Sequence, residues 1–193
     1  INKPDDYQKY FYKTDHHWTT LGAYLNYAEY IKSLEKTPID LLSLNKNEAK
    51  NFYGTYYSKA KLISAKPDTI EYYDIAVDDV IVNGEEKSGL YNMEMFNKTD
   101  KYAAFIWGNN ELTILKNKAA SENTSRILIL KDSYGNSYAP FLTYNFDEVY
   151  IVDLRFMSNL KELMETVSFD EVLILYSFET FAQEPSVSKL RLL

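Results

Sequence analysis

From Leu21 to Leu34 the apolar positions Leu21, Tyr24, Leu25, Ala28, Ile31 and Leu34 recur at the three-and-four spacing of one helix face. Thr19 or Thr20 can cap this helix by accepting from a free backbone N–H. Thr37-Pro38 is expected to end it, because a residue before proline avoids helical dihedrals. Just upstream, Tyr10 to Trp18 reads as a short strand feeding the helix. From about Phe52 to Lys116 the pattern shifts to Tyr, Val, Ile and Thr, with turn signals at Asn83-Gly84 and Gly108-Asn109-Asn110. Short antiparallel strands and hairpins are expected there, with 102–107 and 111–116 as the arms of one hairpin.

After a polar linker at Ser121 to Ser125 the order of elements changes. Continuous apolar runs at Ile127–Leu130, Val149–Val152 and Val172–Leu175 alternate with helical patterns at Ser137–Tyr144 and Leu160–Val167. Strands apolar on both faces, separated by helices, predict parallel β-α-β-α-β units. Two strand starts nearly repeat, Phe146-Asp147-Glu148-Val149 and Phe169-Asp170-Glu171-Val172, which reads as one loop-to-strand chemistry used twice. The expected fold is therefore α/β, a parallel sheet flanked by helices, in a single domain over 1–193 with an inserted antiparallel β region at 52–118.

Composition narrows the function. The 193 residues, 46% hydrophobic and 25% charged with only 6 Gly and 5 Pro, suit one globular core and exclude disordered or collagen-like architectures. A net charge of −7 argues against a non-specific grip on nucleic acid or anionic lipid, which needs cationic side chains. With no cysteine, disulfides, thiol nucleophiles and thiolate metal sites are excluded, while the compartment stays open. The apolar runs are too short to cross a bilayer, and no charged-then-apolar leader opens the chain. A start at Ile1 points to a processed protein or a fragment lacking an upstream segment. The 18 Tyr and 10 Phe suit half-buried strands and equally suit surfaces that stack on sugars.

In open parallel sheets, ligands bind beyond the carboxyl ends of the strands. The run Ile127–Leu130 empties into Lys131-Asp132-Ser133-Tyr134-Gly135-Asn136, which puts Ser133 at a strand-to-helix turn. There it is either a helix cap or a nucleophile with N–H groups nearby for an oxyanion. A serine nucleophile needs a base, and the base needs an orienting acceptor. The two histidines, His16 and His17, are adjacent. On an extended segment Asp15 and His17 share one face and His16 takes the other, so Asp15 can orient His17. Two rival readings remain: a structural cluster at a helix start, and a metal site as in a metal-dependent phosphoesterase. The second is disfavoured by ligands on opposite faces and the lack of a third histidine.

The segment Thr14-Asp15-His16-His17-Trp18, followed by Thr19-Thr20-Leu21-Gly22-Ala23 and a helix, resembles the DHHW-motif proteins. These are similar to the alginate O-acetyltransferase branch of SGNH-hydrolase-like proteins. Lys131-Asp132-Ser133-Tyr134-Gly135-Asn136-Ser137 resembles the nucleophile block of that group, and the likeness spans about Tyr10 to Glu179. It implies an SGNH-type fold with acid and base before the serine: Ser133 as nucleophile, His17 as general base, Asp15 as orienting acid. It further implies an acyl-serine intermediate, polysaccharide O-acetyl transfer or ester hydrolysis, an extracellular or cell-envelope setting, and no cofactor. Two departures stand out: Lys131 occupies a position where many relatives carry glycine, and no Gly-x-Asn-Asp block follows in its usual place. Gly108-Asn109-Asn110 looks like one but is read as a hairpin turn. Candidate oxyanion or substrate groups are the Ser133 and Gly135 N–H groups, Arg155 and Ser177. A non-catalytic, carbohydrate-binding envelope protein is the alternative.

Overall fold

The computed structural model describes residues 4–117 and 124–192; the linker expected at Ser121 to Ser125 lies mostly outside them. The elements run α1 (Pro4–Tyr10), α2 (Thr20–Ser33), β1 (Lys46–Phe52), α3 (Thr55–Ala60), β2 (Asp68–Tyr73), β3 (Asp79–Val82), β4 (Glu85–Glu86) and β5 (Leu112–Lys116). There follow β6 (Arg126–Lys131), α4 (Gly135–Leu142), β7 (Glu148–Val152), α5 (Leu160–Thr166), β8 (Glu171–Leu175) and α6 (Phe178–Gln183).

A six-stranded sheet has the order β4-β3-β5-β7-β6-β8. Its β7-β6-β8 half is parallel, and β3, β4 and β5 extend it antiparallel. The middle of the chain is thus divided: β1 and β2 form a separate antiparallel pair, whereas β3 to β5 continue the main sheet. Along β6 the alternation decides what covers each face. Ile127 and Ile129 are buried with Tyr27 and Ile31 of α2 and Tyr138 and Phe141 of α4; Leu128 and Leu130 are buried with Leu160 of α5. Each such fully buried Ile or Leu contributes about 1.5–3 kcal/mol. The edge strand β8 departs from the expectation of two covered faces: Leu173 and Leu175 pack inward, while Val172 and Ile174 remain 42% and 46% exposed. The repeated Phe-Asp-Glu-Val starts share a job, since Asp147 accepts from the Ser125 N–H and Asp170 from the Arg126 N–H, both at 2.7 Å. Both carboxylates therefore pin the start of β6.

Three local expectations are corrected. Tyr10–Trp18 is not a strand: α1 runs through Tyr10, and 11–18 is a loop closed by the Phe11–Trp18 bridge and by Tyr12 N–H donating to the His17 carbonyl at 3.1 Å. Helix α2 stops before Thr37-Pro38, because Glu35 turns left-handed at φ 57° and Lys36 N–H folds back to the Ile31 carbonyl. Its start is capped by the Thr19 hydroxyl, which accepts from Gly22 N–H at 3.2 Å. Gly108-Asn109-Asn110 does not join two hairpin arms. Residues 101–104 form a 3-10 turn, and β5 pairs with β3 and β7. Ile106, Trp107 and Gly108 are successively left-handed (φ 47°, 65° and 86°), a costly conformation for the two non-glycine residues.

Candidate active site

Asp15, His17 and Ser133 meet in one hydrogen-bonded line. The Asp15 side chain curls onto its own backbone: Oδ1 accepts from His17 N–H at 3.0 Å and from His17 Nδ1–H at 2.5 Å. This local loop, typical of aspartate in turns, fixes the imidazole tautomer. Ser133 Oγ–H then donates to His17 Nε2 at 2.7 Å. The same-face pairing of Asp15 with His17 is thus achieved by an Asp-anchored turn.

The rest of the chain holds this line in place. Asp15 Oδ2 accepts from Thr55 N–H at 2.8 Å and Thr55 Oγ–H at 3.1 Å. The Asp68 carboxylate accepts from Thr14 N–H and the Thr14 hydroxyl at 2.8 and 2.7 Å, anchoring the loop from below. The Tyr102 ring lies flat on His17, with centroids 3.8 Å apart and planes 11° apart, which fixes the imidazole plane. Trp18 Nε1–H reaches the Tyr134 carbonyl and Ser137 Oγ, both at 3.0 Å, tying the loop to the turn that carries Ser133. Because Trp18 is 7% exposed and makes these ties, Trp18→Ala is expected to lower unfolding free energy by about 3–5 kcal/mol in urea denaturation.

His16 does not occupy a wholly separate environment. Its ring centroid is 3.8 Å from that of His17, and Nδ1–H donates to Thr55 Oγ at 2.7 Å. Nδ1 is 3.7 Å from Asp15 Oδ2, so the Thr55 hydroxyl bridges the two groups. Ligand atoms of Asp15, His16 and His17 lie within 4.8 Å of one another. Yet both Asp15 oxygens and both His17 ring nitrogens already have hydrogen-bond partners. A cation shared by the three would have to break the line to Ser133.

Burial by itself would raise the Asp15 pKa, but the adjacent imidazoles and the Thr55 N–H outweigh it and hold the carboxyl well below the usual carboxylate range. Burial lowers the His17 pKa, and the opposing pull of Asp15 does not overcome it. His17 is therefore a neutral acceptor at neutral pH. Any turnover that needs this base is expected to fall as pH drops through a midpoint below the ordinary histidine value of about 6.5. A rate profile with that midpoint above 6.5 would contradict the assignment.

The line opens into a cleft of about 540 Å³ lined by His17, Ser133, Tyr102, Asn109 and Arg155. A neighbouring cleft of about 730 Å³ shares His16, Thr55 and Arg155 with it and carries Tyr56 and Phe178. The candidate oxyanion groups sort differently from expectation. Gly135 N–H donates to the Asp132 carbonyl at 3.1 Å and is committed. Ser177 N–H donates to Asp132 Oδ2, and its hydroxyl caps α6 by accepting from Thr180 N–H. Arg155 is clamped by both oxygens of Asp153 at 2.9 and 2.6 Å, although it still borders both clefts. The Ser133 N–H makes no hydrogen bond to another described residue. Asn109, read from sequence as part of a turn, lines the cleft instead. Thr55, Gly54, Asp68 and Tyr102 were also not singled out by sequence. Gly54 left one trace, an isolated glycine in the long interval between Gly22 and Gly84.

Residues 3–152, which include both the Asp15 loop and the Ser133 turn, match the model of the DHHW protein family. The chain belongs to the DHHW family. This DHHW chain is similar over 95% of its length to a DHHW family protein from Eubacterium siraeum, at 23% identity and a TM-score of 0.77. It is also similar over 91% of its length to Bacillus cereus PatB1, at 26% identity and a TM-score of 0.74. A PatB1 structure with a sulfonyl adduct matches at 25% identity and a TM-score of 0.73. The DHHW chain spans 64%, 65% and 63% of these three chains. No curated protein matches it. Among its described residues, no helix is long and apolar enough to cross a membrane.

Proposed function

We propose that this protein performs acyl-ester chemistry through an acyl-serine, as an O-acetyltransferase or esterase acting on a cell-envelope or extracellular polysaccharide within an SGNH-like fold. The observation that carries the reading is the Asp15–His17–Ser133 line, with contacts of 2.5 and 2.7 Å. Ser133 Oγ attacks the ester carbonyl carbon as its proton passes to His17 Nε2. The oxyanion is met by the Ser133 N–H and by the side-chain amide of Asn109. His17 then returns the proton to the departing alkoxide, leaving an acyl-serine. A sugar hydroxyl or water, deprotonated by the same imidazole, attacks the acyl carbonyl and regenerates Ser133.

Two further features support this reading. One PatB1 structure carries a sulfonyl adduct, and sulfonyl reagents react with activated nucleophiles. Tyr56 and Phe178, 53% and 88% exposed on the adjoining cleft, offer ring faces suited to stacking on sugars. The test is to treat wild type and Ser133→Ala with a sulfonyl fluoride or fluorophosphonate and read intact mass. One adduct on wild type and none on the variant is expected. No adduct on folded wild type would overturn the catalytic reading in favour of a carbohydrate-binding role.

A further inference from the structure

Lys131 closes β6 two residues before Ser133, and its side chain is 1% exposed. Its ammonium faces three acceptors: Asn136 Oδ1 at 2.7 Å, Asn109 Oδ1 at 3.1 Å and Asp153 Oδ2 at 3.7 Å. An ammonium donates and never accepts, so both carboxamides must turn their oxygens toward it. Asn136 Nδ2–H then donates to the same Asn109 oxygen at 3.1 Å. With that oxygen held by two donors, the Asn109 NH2 group is left without a hydrogen-bond partner among the described residues, on an exposed side chain lining the cleft of Ser133.

A second observation shows that this lysine has space reserved for it. A Cβ at Gly135 would meet Cβ, Cγ and Cδ of Lys131 at 2.6, 2.8 and 3.0 Å. The glycine of the nucleophile turn thus admits the lysine stem, while its own N–H is committed to Asp132.

We propose that Lys131 is a positioning residue, holding the Asn109 carboxamide with its NH2 group turned into the cleft to receive the oxyanion formed at Ser133. The proposal rests on the reading of Ser133 as nucleophile. The charged groups facing Lys131 are Asp153 and Asp132, which favour the ammonium, and Arg155, which disfavours it; burial is the strongest influence and brings the pKa down to about 8. Above that pH the amine loses its charge and one of its three donors.

Two measurements test it. In the first, side-chain amide relaxation is recorded by NMR on wild type and Lys131→Met. Asn109 is expected to be rigid in wild type and mobile in the variant. The Asn110 carboxamide, held by Ile106, Gly108 and Thr113, should stay rigid in both. An Asn109 amide equally rigid in both proteins would overturn the proposal. This arm needs no turnover, so its failure is distinguishable from failure of the nucleophile reading, which the adduct experiment reports.

In the second, Asn109→Ala is expected to lower kcat for p-nitrophenyl acetate by about 10²-fold, and Lys131→Met by about 10- to 10²-fold. The double variant should equal Asn109→Ala alone, whereas a double loss equal to the product of the single losses would overturn the proposal. If Lys131→Met does not fold, the pH profile decides: kcat of wild type should fall above pH 8, and that limb should be absent from Asn109→Ala. A limb that persists in Asn109→Ala would overturn it.

Discussion

Asp15→Asn is expected to lower kcat for ester turnover by about 10⁴-fold, with the protein still folded. The four donors around Asp15 explain why an isosteric change is so damaging. Oδ1 takes the His17 N–H and Nδ1–H, and Oδ2 takes the Thr55 N–H and hydroxyl. An asparagine NH2 placed in either position faces a backbone N–H that cannot become an acceptor. Turned toward His17, it also favours the tautomer with the proton on Nε2, which cannot accept from Ser133. In both orientations the charge that stabilises the imidazolium is gone. Measurement of kcat alongside circular dichroism checks this; a loss of less than about tenfold would remove Asp15 from the proposed mechanism.

Gly54→Ala is expected to lower kcat by at least about 10²-fold, although Gly54 touches no reacting atom. Its backbone is extended (φ −90°), so space requires the glycine rather than an unusual dihedral. A Cβ there would lie 2.2 Å from Asp15 Cβ and 2.3 Å from Asp15 Oδ2. The Gly54 N–H is held by Thr14 Oγ at 3.2 Å, and Thr14 is held by Asp68, so the backbone at Gly54 cannot simply retreat. The carboxylate must move, and with it the His17 ring. A destabilisation of about 1–3 kcal/mol is expected as well. Rates of adduct formation at Ser133 separate the two effects, because protein that is folded but slow to react has lost alignment rather than stability. Wild-type reactivity in folded Gly54→Ala would contradict the packing argument.

Strands β6 and β7 of the parallel half were legible because their apolar runs are buried on both faces. Ile127–Leu130 and Val149–Val152 lie within β6 and β7. The pairing of Asp15 with His17 was also legible, though the physics differs: the i, i+2 relation comes from a side chain closing onto a backbone N–H, which sequence cannot separate from strand alternation. His16 shows the limit of the strand argument, since in a turn its ring folds against that of His17. The supports from the middle of the chain were not legible. Thr55, Asp68, Tyr102 and Asn109 each act through a few contacts to residues distant in the chain, and such contacts leave no periodicity. Asn109 was hidden by its own turn signal, because Gly-Asn-Asn reads as a loop whatever that loop delivers.

His17 and Ser133, joined by one hydrogen bond, are 116 residues apart in the chain. Contacts of such separation close a long loop and need the intervening sheet to be assembled, and topologies rich in them fold slowly. Neither half of the chain alone contains all three of Asp15, His17 and Ser133. The rate at which Ser133 gains reactivity after dilution from denaturant would therefore act as a clock for the final docking of the amino-terminal loop onto the parallel sheet, running behind the recovery of secondary structure. On the proposed reading of Ser133 as nucleophile, a partly unfolded chain would carry both parts of the site and be unable to bring them together until folding is complete.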